Sequence, residues 1–186
     1  MIKLKPFGKT DFYLLINWIP DEKFLMQWGG IKLSFPLDHK QLNNLFLKTN
    51  KNPPLIYLFK ATETADNKTI GHSQILRIDY KEKICTIGRI IVGQPGKYYG
   101  LNLVALTLDH AFYKLKMNEV NLKVFAFNLV ALGLYKKLGF EQFDYLENDV
   151  RWSDDETWDL VRMKINKKKW GKIKKLDKIN KLLQLP

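Results

Sequence analysis

Cysteine is almost missing from this chain of 186 residues. Cys85 stands alone, which excludes an internal disulfide and any thiolate cluster for zinc. No apolar run approaches the ~18 residues that a bilayer-spanning helix needs. The opening MIKLKPFGKTDF lacks the apolar centre of a secretory signal, so a cytoplasmic protein is the expectation. Histidine is scarce as well. His39, His72 and His110 stand apart without metal-ligand spacing, so no metal is expected. Asp109 and His110 are neighbours on one helix, project in different directions and make no triad. Arginine is limited to Arg77, Arg89, Arg151 and Arg162. Bidentate reading of bases and phosphates leans on arginine, so the lysine-driven net charge of +12 reads as solvated surface, and no specific nucleic-acid or membrane partner is expected.

What is present is globular: 46% hydrophobic, 13% aromatic and 27% charged residues, enough to bury one core. The charge is uneven. Residues 164–186 hold nine Lys and one Asp. Residues 141–159 hold eight acidic side chains (Glu141, Asp144, Glu147, Asp149, Asp154, Asp155, Glu156, Asp159) against Arg151 alone. That segment is either a solvated hairpin loop or a surface that attracts a cation.

The periodicity predicts a short strand at Ile2–Lys5, a helix capped by Thr10 or Asp11 and ended by Pro20, a second helix over Asp21–Trp28 and a third over 38–48. Leu55–Thr62, Ile70–Asp79 and Ile84–Val92 read as an antiparallel meander. Leu101, Val104, Leu108, Ala111, Phe112 and Leu115 recur at helical spacing. A strand over Glu119–Phe127, a helix over Leu129–Leu138 closed by Gly139, and a strand pair at Phe140–Glu147 and Trp158–Ile165 complete the order. The strand–helix–strand run from 84 to 127 needs a crossover and hence one parallel pair. The fold class is therefore α+β: a mostly antiparallel twisted sheet with one parallel pair, flanked by helices. Where such strands part, a ligand can enter.

NLVALGLYKKLGF at 128–140 places Asn128, Ala131, Tyr135, Lys137, Gly139 and Phe140 in the order N-x-x-A-x-x-x-Y-x-K-x-G-F. With the strand, loop and helix of 87–112, the chain resembles the GNAT-family N-acetyltransferases over residues 1–165. Its opening is similar to the ribosomal-protein- and aminoglycoside-acetylating branches. The resemblance implies acetyl-CoA as cosubstrate and direct attack by a primary amine in a ternary complex. The acceptor would be a protein N-terminus or a small cationic amine.

In that family a loop of pattern Q/R-x-x-G-x-G/A wraps the pyrophosphate. Pro95, Gly96, Lys97, Tyr98, Tyr99 and Gly100 fall on it, with Leu101 opening the helix. Gly100 matches, whereas Pro95 replaces the Gln/Arg and Tyr98 the central Gly. Backbone N–H groups at a helix N-terminus carry such binding, so it survives if the dihedral at Tyr98 is attainable. The resemblance also implies that the backbone of Ile90, Ile91 and Val92 pairs with the pantetheine amides. Asn128 would hydrogen-bond that arm, Lys137 completes the motif, and Tyr135 returns a proton to the leaving thiolate. An oxyanion donor is required physically but not assigned. For the general base, Asp79, Glu82, the acids at 154–156 and His72 remain open. In the family the loops carrying Asp21, Glu22 and residues 154–156 border the acceptor, which favours a cationic amine.

Residues 166–186 form a basic amphipathic extension, with Trp170, Ile173, Leu176, Ile179, Leu182 and Leu183 on one face. It packs either on the domain or on a neighbouring subunit, which leaves a homodimer open, or it docks elsewhere. The alternative from another class is a non-catalytic module that binds RNA, membrane or a protein partner through this tail.

Overall fold

The computed structural model describes residues 1–93 and 98–176. Its strands are β1 (Ile2–Pro6), β2 (Tyr57–Glu63), β3 (Thr69–Asp79), β4 (Ile84–Val92), β5 (Glu119–Phe125), β6 (Glu141–Arg151) and β7 (Thr157–Asn166). The helices are α1 (Phe12–Trp18), α2 (Glu22–Gly29), α3 (His39–Phe46), α4 (Tyr99–Asp109), α5 (Leu129–Lys137) and α6 (Lys167–Lys174). One sheet runs β1-β2-β3-β4-β5-β7-β6. Only β4 and β5 pair in parallel, joined by the α4 crossover as the strand–helix–strand order requires.

Neighbouring strand residues point to opposite faces, and the two cores follow from that. In β2, Leu58 packs among Phe12, Leu15, Leu25 and Leu42 of α1–α3. Phe59 packs with Leu101, Val104, Leu108 and Tyr135 of α4 and α5. Helices thus cover both faces, in agreement with the expected fold class.

Short-range rules fix most helix starts. Asp21 accepts from Phe24 N at 2.7 Å and Asp38 from Gln41 N at 2.8 Å. Asp11 precedes α1 but its side chain makes no cap bond to that helix. Its carboxylate is held instead by Gly8 N and by Lys60 Nζ at 2.7 Å.

Several element boundaries differ from the sequence reading by a few residues. β6 continues to Arg151, because Val150 and Arg151 pair with Trp158 and Thr157. The tail begins as α6, with Trp170 fully buried and its Nε1 donating to Asp109 Oδ1 at 2.9 Å. Of the expected apolar face, Ile179, Leu182 and Leu183 lie outside the described residues. Among the described residues no helix is long and apolar enough to cross a membrane.

Candidate active site

The parallel pair is short. Ile84, Cys85 and Thr86 register with Glu119, Val120 and Asn121, and beyond Thr86 the two strands part. A cause lies on the other edge of β4. Gln74 pairs with Gly88 and His72 with Ile91, so Ser73 alone faces both Arg89 and Ile90. A second irregularity sets Arg77 and Ile78 against Cys85. Such bulges bend a strand and raise its twist. Arg89 and Arg77 both adopt left-handed φ, 48° and 50°.

The gap opens into a cleft of about 940 Å³ that passes between the two helical layers. At one end it meets Val92, Gly100, Val104, Asn128, Ala131, Leu134 and Tyr135. At the other it meets Met26–Leu33 from α2 and its exit, Asn44 and Lys48 from the α3 region, and Gln74, Arg77 and Arg89 from the sheet. Ile90, Val92, Gly100, Asn128 and Tyr135, all singled out in the sequence, line this one cavity. Ile91 is buried on the α1–α3 face, and Leu101 in the core under α4. Lys137 is exposed at the end of α5, away from the cleft walls. Gly96 and Lys97, like Pro95, lie outside the described residues.

Tyr98 has φ 57° and ψ 21°, a left-handed residue where the family pattern carries glycine. It stands at the N-cap of α4 without a side-chain cap hydrogen bond of its own. Tyr99 is buried, and its hydroxyl donates to Glu63 at 2.9 Å. Asn128 caps α5 by accepting from Ala131 N at 3.1 Å, which leaves its amide N–H groups free for a ligand. A Cβ on Gly100 would come within 3.3 Å of Leu134 Cδ1, so α4 and α5 approach closely beside the cleft.

The chain matches the family described as "Acetyltransferase (GNAT) domain" over residues 2–141. It belongs to the GNAT acetyltransferase family. As such it is an acetyl-CoA-dependent N-acetyltransferase, not a stripped binding module. Among solved structures it is similar to the spermidine N-acetyltransferase from Vibrio cholerae in complex with CoA and spermine. That match has a TM-score of 0.77 at 22% identity, covering 91% of this chain and 97% of that one. A chimera of the Vibrio cholerae spermidine N-acetyltransferase and hSSAT matches with a TM-score of 0.77 at 20% identity, covering 94% and 99%.

These neighbours correct the branch. The two structures above are spermidine N-acetyltransferases, not members of the ribosomal-protein- or aminoglycoside-acetylating branches that the opening segment resembles. The physical reason is that the opening strand and two helices belong to the shared fold: β1 pairs with β2, and α1 and α2 cover the sheet.

The acetyltransferase's titratable groups are arranged unevenly. Burial pushes the Tyr135 phenol up to about 12, so its hydroxyl stays protonated at any working pH. Burial, and secondarily the Arg89 charge, bring His72 down to about 3, which leaves it neutral and too weak a base for an ammonium. Asp79 caps the β3–β4 turn by accepting from Lys81 N and Glu82 N. Glu156 bonds Trp158 Nε1 at 2.7 Å and Lys23 Nζ at 2.9 Å, and these bonds hold it below the usual carboxylate range. Among the described residues no carboxylate lines the cleft, and no group of three or more His, Cys, Asp or Glu is placed to hold a metal.

Sequence reasoning passed over Arg77, Arg89 and Trp28 as site residues. Their place depends on the β3–β4 register and on α2 packing, and no local pattern signals either.

Proposed function

We propose that this acetyltransferase moves the acetyl group of acetyl-CoA to a small primary amine, a cation in solution, by direct attack in a ternary complex. The observation that carries this is the bulged, parted β4–β5 edge, which opens one cleft toward both Tyr135 and the α2 side of the sheet. The free edge of β4 over Ile90–Val92 offers backbone partners to the pantetheine arm, as an added strand would. Asn128 supports that arm from the start of α5. The start of α4, from Tyr98 and Tyr99 to Gly100 and Leu101, receives the pyrophosphate through backbone N–H groups, and Gly96 and Lys97 are held to this role by the family pattern alone. Lys137 is held to this role by the family motif alone.

Tyr135 acts at the leaving group. The N–C bond forms, the C–S bond breaks, the amine nitrogen loses a proton and the sulfur gains one. With a pKa near 12 the phenol stays protonated and donates a hydrogen bond to the departing sulfur as that proton arrives. Among the described residues no carboxylate lines the cleft to take the amine proton, so in this reading the nucleophile enters as its free base, about one part in a thousand at pH 7 for an amine of pKa ~10.4.

We take residues 1–165 as the transferase unit and 166–186 as an extension, with a cytoplasmic setting and a homodimer as further parts of this reading. Calorimetry with acetyl-CoA, followed by thiol release over an amine panel headed by spermidine and spermine, tests the proposal. Saturable binding and amine-dependent thiol release are expected, and no binding overturns it.

A further inference from the structure

The acceptor end of the cleft carries positive charge with no carboxylate among the described residues lining it. Lys32, Lys48, Arg77 and Arg89 line it, and among the described residues none of the four is in an ion pair. Elsewhere the cations that approach the core are matched, as Lys60 is by Asp11 at 2.7 Å and Lys174 by Asp109 at 2.8 Å.

Arg89 is the telling case. It is partly buried, and its contacts are neutral: Nη1 to Gln74 Oε1 at 3.3 Å and Nη2 to the Gly29 carbonyl at 3.1 Å. Those two bonds fix the guanidinium on the α2 side and leave its other N–H donors without an acceptor. Burial first, then the nearby Arg77 charge, weakens its hold on its proton. A partly buried charge without a counter-ion is unfavourable, and one held beside a cleft is placed to receive an anion.

Two further observations point the same way. Trp28, which lines this end and is only 8% exposed, has its Nε1–H buried without an acceptor. Both arginines also sit at β-bulges with left-handed φ, strained positions of the kind that concentrate at functional sites.

We propose that the acceptor is zwitterionic: besides the amine that is acetylated it carries a carboxylate or phosphate, which Arg89 and Arg77 bind with Trp28 as a third donor. This rests on the acetyl-transfer reading and names the substrate class for the same cleft. A carboxylate fits a guanidinium by paired, charge-assisted hydrogen bonds, and a phosphate does so in a similar geometry. The same positive field disfavours the ammonium form of the bound amine and so delivers it as the nucleophile.

The test compares matched acceptors on the full chain by thiol release. One set is lysine, lysinamide and cadaverine; a second is phosphoethanolamine and ethanolamine; spermidine and spermine form the third. The expected result is a kcat/KM about tenfold or more higher for the member that carries a carboxylate or phosphate than for its counterpart without one. The set that shows it tells carboxylate from phosphate. Arg77→Gln, an exposed position, and Arg89→Gln should each shrink that ratio while calorimetric acetyl-CoA affinity stays within about twofold.

Wild-type protein that binds acetyl-CoA and acetylates polyamines or neutral-tailed amines as well as their anionic counterparts overturns this inference alone. A ratio that survives both substitutions does the same. Absence of saturable acetyl-CoA binding overturns acetyl transfer, and this inference with it.

Discussion

Two helices begin beside the cleft, and they begin in opposite ways. α5 starts by the ordinary rule: Asn128 accepts from Ala131 N at 3.1 Å. α4 starts from Tyr98 in the left-handed region at φ 57°, with no side-chain cap. A capped start has already spent part of its N–H potential on its own side chain. A start without such a cap spends none of that potential on its own N-cap side chain. The contrast suits the two ends of a CoA molecule, with an amide-bearing arm beside Asn128 and a pyrophosphate at Tyr98. At Tyr98 itself the missing glycine is no obstacle to the left-handed dihedral, which the tyrosine adopts.

The largest effect expected from breaking this arrangement is chemical and lies on α5. Tyr135→Phe should lower kcat about a hundredfold while acetyl-CoA affinity, read by calorimetry, stays within about twofold. The same variant sharpens a pH prediction. Below pH 10 the phenol is protonated in folded and unfolded chains alike, and its contribution is constant. Between about 10 and 12 the unfolded chain ionises while the buried phenol does not, so stability is lost as pH rises. The loss is about 1.4 kcal/mol per pH unit over that window. Urea unfolding of wild type and Tyr135→Phe at several pH values isolates it, since the variant lacks this component of the slope.

The far end of α5 carries the next largest effect. Gly139 has φ +87°, and a Cβ there would sit 1.9 Å from Ile173 Cδ1 on α6. Gly139→Ala should cost about 2 kcal/mol in denaturant unfolding, through backbone strain and displacement of α6. This glycine, Asn128 and the crossover between β4 and β5 were all legible in the sequence, because each rests on a rule spanning a few residues or one connection. The cationic acceptor end was not. Arg89 reaches it through a bulge set by how β3 registers on β4, and Trp28 through how α2 lies on the sheet. The acidic segment, read as either a solvated loop or a cation-attracting surface, is also shaped by long-range pairing. Asp144 meets Arg162 at 3.0 Å, Asp149 meets Lys123 at 3.9 Å, and Glu156 meets Lys23 at 2.9 Å, so much of its charge is taken up by partners distant in sequence. Local composition registers the eight acids but not the cations that long-range pairing brings to them.

Removing the conventional start is a milder change. Asn128→Ala should cost about 1 kcal/mol of stability, the usual value of an N-cap, measured by urea denaturation. It should also weaken acetyl-CoA binding several-fold, because the cap's free amide N–H groups go with it. Asn128→Asp separates the two effects: it keeps the cap acceptor and loses the donors, so stability should recover while affinity does not.

The smallest effect, and the one of opposite sign, belongs to Tyr98. A left-handed non-glycine residue carries a penalty of about 1–2 kcal/mol. Tyr98→Gly removes it but gives the unfolded chain extra freedom worth about 0.5–1 kcal/mol. The net change should be a stabilisation of under about 1 kcal/mol, because the Tyr98 side chain is 54% exposed and forfeits little packing. Tyr98→Ala keeps the strained dihedral and trims only the ring, so it should be neutral or slightly destabilising. If the backbone N–H groups of this turn hold the pyrophosphate, both variants retain acetyl-CoA affinity within about threefold. A collapse of affinity in both would move the binding from the backbone to the tyrosine ring, and the two helix starts would then differ in side chain rather than in shape.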